Sequence, residues 1–309
     1  MKHILALQTY LILAVAFMGE ALPIAKSHSH TLPSYLRTPV GLVPHSAAHQ
    51  VPVGATISHT QSAISLLAAN GTALHTTPVV PGATNARPLN GNGNGNAKAR
   101  REESGWVTFA AWLNTGESPI ASFATSWTVP PAPAANDGQT VFIFNSIEPA
   151  DFTSILQPVL QYGGSAAGGG NYWGIACWYV TPTGTYFTPL VQVQEGQTLT
   201  GYIQLQEQSA NSTDFQYLCE WSNLGGYGLL VNSAELVWAT ETLEVYGIQS
   251  ASDFPAGTTA LSAINIATQE TNAPNVTWSV AEDVADTVFT TVIVDGSVNA
   301  LINITYPTV

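Results

Sequence analysis

In 309 residues the chain carries 20 acids against 7 lysines and arginines, a formal net charge of −13 at neutral pH; every Lys, Arg and His lies at or before Arg101, and every acid but Glu20 after it. Without histidine or lysine, the region from Glu102 onward has no Ser-His-Asp or Cys-His pair, no Schiff-base amine and no imidazole for zinc. Without arginine or lysine it has no phosphate clamp, which excludes a nucleic-acid or nucleotide site built on charge, and acid–base chemistry there falls to carboxyl groups.

So acidic a region suits acid, because carboxyls with ordinary values of about 3.9 and 4.3 are mostly neutral at ~pH 3. Mutual repulsion is expected to raise many carboxyl pKa values in the fold above their unfolded values. That stability is present below the unfolded pKa and lost as pH rises, so the protein is expected to be more stable at ~pH 3 to 5 than at ~pH 8.

In chain order, an apolar run from Ile4 to Phe17 follows Lys2 and His3 and ends in small residues around Gly19 and Ala21. It is too short to span a bilayer and reads as a signal peptide, residues 1–21, which predicts a secreted, extracellular product that is not a membrane protein. Asn70, Asn211, Asn275 and Asn303 each open an Asn-x-Ser/Thr sequon, and glycosylation is expected at Asn211, Asn275 and Asn303. Residues 22–101 are rich in Pro, His, Ser and Ala and end in an Asn-Gly tract, then Ala97-Lys98-Ala99-Arg100-Arg101. They read as a largely disordered propeptide closed by a dibasic processing site, and the histidines within it suggest a pH-dependent contact with the acidic domain.

Residues 102–309 are rich in Val, Ile, Thr and aromatic residues, broken at regular intervals by Gly, Pro, Asn and Ser. Strands are predicted over 121–129, 140–147, 154–162, 171–180, 198–206, 214–221, 234–244 and 287–294, which makes the region all-β, an antiparallel sandwich or barrel. Along 171–180, Trp173, Cys177 and Tyr179 alternate with Ala176, Trp178 and Val180, and neither set is charged. That strand is covered on both sides or lines an aromatic groove. In an exported chain, the two cysteines, Cys177 and Cys219, are expected to form one disulfide.

The residues left to carry chemistry are amides and carboxyls on strands. Gln157 and Gln161 are four apart and share a strand face; Glu235 and Glu241 are six apart and share one if their strand is regular, with Glu244 on the other.

In order, Ser104-Gly105-Trp106, 126-SWTVPPAPA-134, 155-ILQ-157 with Gly163, 171-NYWGIACWYV-180, 195-EGQTL-199, 234-AE-235 and 241-ETLE-244 resemble the motifs of the eqolisins. These are glutamic peptidases, acid endopeptidases of fungi, and the resemblance covers nearly all of the region from Ser104 to Val309. It implies a concanavalin A-like β-sandwich and an acid endopeptidase made as a zymogen, with no metal and no cofactor. Gln157 would be the catalytic amide and Glu241 the catalytic carboxyl, with Trp106, Asn145, Trp173 and Tyr179 along the substrate groove. The chain departs from the family in the five residues between Gln157 and Gly163, which leaves Gln161 as a second amide. It departs again in the spacing from Ala234-Glu235 to Glu241, which leaves Glu235 as a second carboxyl, and in Cys177, where the family carries a glutamate. The implied partners are a polypeptide substrate and the chain's own propeptide, with the domain a monomer that binds no nucleic acid. A catalytically silent sandwich binding polysaccharide or a surface partner is the alternative. A glycosidase pair of Glu235 and Glu241 ranks last, since six strand residues span roughly 20 Å, against about 5 to 9.5 Å for either glycosidase geometry.

Overall fold

The computed structural model describes residues 35–85, 103–116, 118–208, 214–222, 227–282 and 287–308. The signal peptide, the dibasic site and the sequon at Asn211 lie outside them. Up to Asn85 the strands are β1 (Tyr35–Thr38), β2 (Gly41–Pro44), β3 (Ala48–Gln50), β4 (Thr56–His59), β5 (Ala63–Leu67) and β6 (Ala73–Pro78). Next come β7 (Glu103–Leu113), β8 (Ile120–Thr128), β9 (Thr140–Glu148), β10 (Ile155–Ser165), β11 (Gly168–Thr181), β12 (Gly184–Phe187), β13 (Val191–Gln192) and β14 (Thr198–Gln208). The last are β15 (Phe215–Trp221), β16 (Leu229–Ser233), β17 (Trp238–Ile248), β18 (Thr258–Thr268), β19 (Ser279–Glu282), β20 (Phe289–Val294) and β21 (Ala300–Thr305).

Among the described residues these strands form an all-β sandwich. One sheet runs β19-β7-β17-β9-β10-β11-β12-β3, with β13 on β11; the other runs β20-β21-β18-β8-β14-β15-β16-β4-β5-β6. Alternation decides which residues meet between them. Val141, Ile143 and Ile147 of β9, Leu156 and Leu160 of β10, and Trp173, Ile175, Cys177 and Tyr179 of β11 join the inter-sheet core. Their neighbours Phe142, Phe144, Ile155, Val159, Ala176 and Trp178 form a second cluster on the opposite, outer face of the same sheet. The central strands are therefore apolar on both sides, as the uncharged alternation along 171–180 indicates.

The N-terminal segment corrects the expectation of disorder over 22–101. β1 and β2 form a two-stranded sheet of their own, while β3 pairs in parallel with β12 at the edge of one large sheet, and β4 pairs in parallel with β16 and extends the other by β5 and β6. Between them the chain crosses from sheet to sheet, and Val51 and Ala55 enter the core on the way, as do Ile57, Ile64 and Leu66 on β4 and β5. Each fully buried Ile or Leu contributes about 1.5–3 kcal/mol. The sequence conceals this because the core residues come in strands of four or five, too short for a sustained period, and the pairing of β4 with β16 that joins them to the sheet spans much of the chain.

The expected disulfide is also corrected. Cys177 and Cys219 are free, buried thiols. They come from β11 and β15, in facing sheets, and hydrogen-bond to each other, while burial pushes the Cys219 thiol well above its ordinary value. A thiol in apolar surroundings is held protonated and packs as a small hydrophobe. Of the other sequons, Asn275 is exposed, and Asn303 is half-buried within β21.

Candidate active site

Gln157 and Glu241 do not meet. Glu241 stands opposite Asn145 and Ala110 in the register of β17 with β9 and β7, and its carboxylate accepts a hydrogen bond from Thr125 of β8, in the facing sheet. It therefore points between the sheets. Burial pushes its carboxyl well above the usual range, only partly offset by the Thr125 hydrogen bond. Asn145 shares this inner face, and neither of its amide atoms has a hydrogen-bond partner among the described residues. The facing sheet approaches closely here because residue 201 is glycine: a Cβ would lie 2.7 Å from Pro158 Cγ and 2.8 Å from Asn145 Oδ1. Pro158 thus points inward, and Gln157, one residue before it, points outward.

Three further groove assignments move with this. Asn145, Trp173 and Tyr179 belong to the inner face, where Trp173 packs on Tyr162 with ring centroids 5.4 Å apart and Tyr179 shares a 2.6 Å hydrogen bond with His59. Glu235 lies outside any strand, in the connection from β16 to β17, and is half-buried. The predicted strand 234–244 begins only at Trp238, so Glu235 and Glu241 share no regular strand face.

The outer face of the same sheet holds a different set. Trp106, Glu244, Phe142, Gln161 and Gly174 occupy one continuous register row across β7, β17, β9, β10 and β11. Around the row stand Phe109, Phe144, Trp178, Trp238 and Tyr246. Trp238 stacks parallel to Trp106 with centroids 6.0 Å apart. Burial pushes the Glu244 carboxyl up to about 8, while hydrogen bonds from Tyr246 and Trp106 work in the opposite direction. The Gln161 amide donates to the Gly163 and Gly168 carbonyls at 2.8 and 2.9 Å and accepts from the Ser165 hydroxyl at 2.8 Å. Here the β10–β11 hairpin folds tightly over the side chain. Gly169, at φ +112°, would place a Cβ 2.5 Å from Gln161 Nε2.

Gln157 shares this outer face, buried, with neither amide atom bonded among the described residues. Glu148, buried at the end of β9, is on the same face, paired with Trp238. Sequence reasoning put Glu244 on the face opposite Glu241 but gave the role to Glu241; it passed over Glu148, whose only signal was its place at the end of an apolar run.

The N-terminal segment covers part of this face. Val40 and Ala48 pack on its aromatic cluster. Arg37 donates to the Gly138 carbonyl and the Thr140 hydroxyl at 3.1 and 3.2 Å, and its guanidinium lies over the Tyr246 ring, 5.7 Å from the centroid. The Arg37 carbonyl in turn accepts from the Ala166 amide at 2.8 Å, which fastens β1 to the β10–β11 hairpin.

Compared with protein-family models and with curated proteins, the chain matches none.

Proposed function

We propose that the protein is a secreted acid endopeptidase whose working carboxyl is Glu244 and whose amide is Gln161. The observation that carries this reading is the shared register row of Trp106, Glu244, Phe142 and Gln161 on an aromatic face. Two strand spacings separate Gln161 from Glu244, about 10 Å between Cα atoms, within the combined reach of both side chains and one water. Gln157 stands roughly 16 Å from Glu244 by the same geometry, too far to share that water.

Glu244 is protonated in acid while the face is covered. Since burial is the main cause of its raised pKa, access of solvent and substrate lowers it toward the ordinary carboxylate range. The ionised carboxylate then takes a proton from water as the water oxygen attacks the peptide carbonyl, and returns it to the departing amine as the C–N bond breaks. The Gln161 amide, transferring one N–H from its hairpin carbonyl to substrate, stabilises the oxyanion without titrating. Trp106 and Tyr246 orient the carboxyl through their hydrogen bonds.

The test is hydrolysis of denatured protein by the processed chain across pH 2 to 7. Glu244→Gln is expected to lower kcat by 100-fold or more, in the range of general-base losses, whereas Glu148→Gln and Glu241→Gln leave it near wild type. Equal activity in Glu244→Gln and wild type overturns the assignment. A second reading, a silent sandwich that binds polysaccharide or a surface partner through the aromatic face, is favoured by the commitment of both Gln161 amide protons to hairpin carbonyls. Absence of hydrolysis at every pH from a folded, processed protein would support it.

A further inference from the structure

We infer that Asn70 is an N-glycosylation site, the acceptor of an oligosaccharide at an open edge of the sandwich. The inference rests on the secretory part of the proposed function and on nothing in the peptidase mechanism.

Asn70-Gly71-Thr72 is an Asn-x-Thr sequon, and sequons take sugar where they lie on the surface of an exported chain. By composition this one belongs to a segment expected to be disordered. The structure places it instead at the tip of the hairpin from β5 to β6. Backbone bonds from the Ala68 amide to the Thr72 carbonyl and from the Gly71 amide to the Ala68 carbonyl, both 2.8 Å, close the turn. Asn70, Gly71 and Thr72 are all exposed. Asn70 Oδ1 accepts from the Thr72 amide at 3.0 Å, and Nδ2 has no partner among the described residues. A Cβ on Gly71 would meet nothing within 4 Å, so the tip stands clear of the rest of the fold. β6 is also the last strand of its sheet among the described residues, which leaves no neighbouring strand for a sugar to displace.

The other sequons within the described residues divide by the same criteria. Asn275 is exposed, in the connection from β18 to β19. Asn303 is held inside the sheet: β21 is paired on both sides, with Ala260 of β18 and Thr291 of β20 beside it, and the Asn303 carboxamide oxygen is buried. A sugar on that amide would lift the side chain from between two strands. Asn70 and Asn275 therefore carry sugar in the folded protein, and Asn303 does not.

In the transfer, Asn70 Nδ2 forms a bond to the first carbon of a lipid-pyrophosphate-linked oligosaccharide. The bond from that carbon to the pyrophosphate oxygen breaks, its electron pair leaving with the pyrophosphate, and one amide proton passes to a base of the transferase. The Thr72 hydroxyl completes the sequon, while the contacts of Thr72 in the hairpin are those of its backbone. Thr72→Ala therefore abolishes the site and keeps the turn, whereas Asn70→Gln also disturbs the bond from Oδ1 to the Thr72 amide.

The test is a peptide map. The full chain, with Arg100→Gln and Arg101→Gln to keep it in one piece, is secreted from a eukaryotic host and treated with an endoglycosidase that leaves one N-acetylglucosamine on each occupied asparagine. Mass spectrometry is expected to find that sugar on Asn70 and Asn275 and not on Asn303, and Thr72→Ala to lose it at Asn70 alone. The retained sugar is the readout, so deamidation at Asn70-Gly71 is not mistaken for occupancy. A bare Asn70 beside an occupied Asn275 overturns the inference and leaves the secretory reading standing, whereas chains bare at every sequon overturn both. Occupancy of Asn303 equal to that of Asn70 would overturn the argument from exposure. Failure of the peptidase assay leaves the inference standing.

Discussion

The Tyr246 hydroxyl donates to the Glu244 carboxylate from two residues along the same strand face, and Arg37 of the N-terminal segment lies over the Tyr246 ring. The carboxyl is therefore one aromatic ring away from a cation that belongs to the cover. Tyr246 is the joint between them, and burial, with the negative charge of Glu244 beside it, keeps its own hydroxyl protonated.

The buried carboxyls make the sandwich an acid-stable body. Glu244 titrates at about 8 in the fold against 4.5 outside it. Its folded pKa is the higher, so its contribution is complete below 4.5 and lost as pH rises through 8, at most about 5 kcal/mol by linkage. Glu241 acts in the same direction. Melting temperatures of the chain freed of residues 1–101 are expected to fall from pH 5 to pH 8, and to fall less in Glu244→Gln; an equal fall in both would refute the role of burial. The cause differs from the mutual repulsion that composition suggests, since desolvation leads at both glutamates.

Glu241 is a structural acid. Glutamine at this position keeps an oxygen to accept the Thr125 hydroxyl and removes the group whose ionisation opposes folding. Glu241→Gln is expected to match or exceed wild-type stability at pH 8 in urea unfolding. Glu241→Ala, which orphans the Thr125 hydroxyl and opens a cavity, is expected to cost about 2–4 kcal/mol. A Glu241→Gln variant that folds well and loses hydrolysis would return the catalytic role to Glu241.

Gly201 fixes how closely the sheets approach over Asn145 and Pro158. An alanine methyl placed 2.7 Å from Pro158 Cγ forces the sheets apart or the proline aside, and Gly201→Ala is expected to destabilise by about 1–3 kcal/mol. Chemical denaturation of variant and wild type side by side at one fixed pH gives the number; a change below about 0.5 kcal/mol would show that the sheets yield.

The sandwich was legible because β9, β10 and β11 are long, apolar and bounded by turn residues, so pattern alone places them. The site was legible only by residue type. Whether a glutamate on β17 faces inward or outward depends on where the strand begins, and the connection through Glu235 to Val237 hides that start. One position decides the face of every side chain after it. Gln157 is a similar case: a proline such as Pro158 is usual at edges and bulges, while the structure keeps the strand central and regular, and the register shift falls between Tyr162 and Gly163. The N-terminal strands were not legible because they are three to six residues long and β3 and β4 join the sheets by parallel pairing with β12 and β16, far along the chain; only Asn70-Gly71, between β5 and β6, marks a local hairpin.

Arg37 anchors the N-terminal segment at Tyr246. A guanidinium stays charged throughout the working range, so its bonds to Gly138 and Thr140 and its place over Tyr246 persist in acid. Arg37→Gln removes a contact that is equally strong at pH 7.5 and at pH 5, and cation–π and charged hydrogen bonds of this kind together contribute about 1–3 kcal/mol. Dissociation of the N-terminal segment, once severed between Asn85 and Glu102, is therefore expected to accelerate about 5- to 150-fold at both pH values, measured by gel filtration over time, as the fold-change equivalent of that energy. An Arg37→Gln effect confined to one of the two pH values would show that its contacts are not a constant anchor.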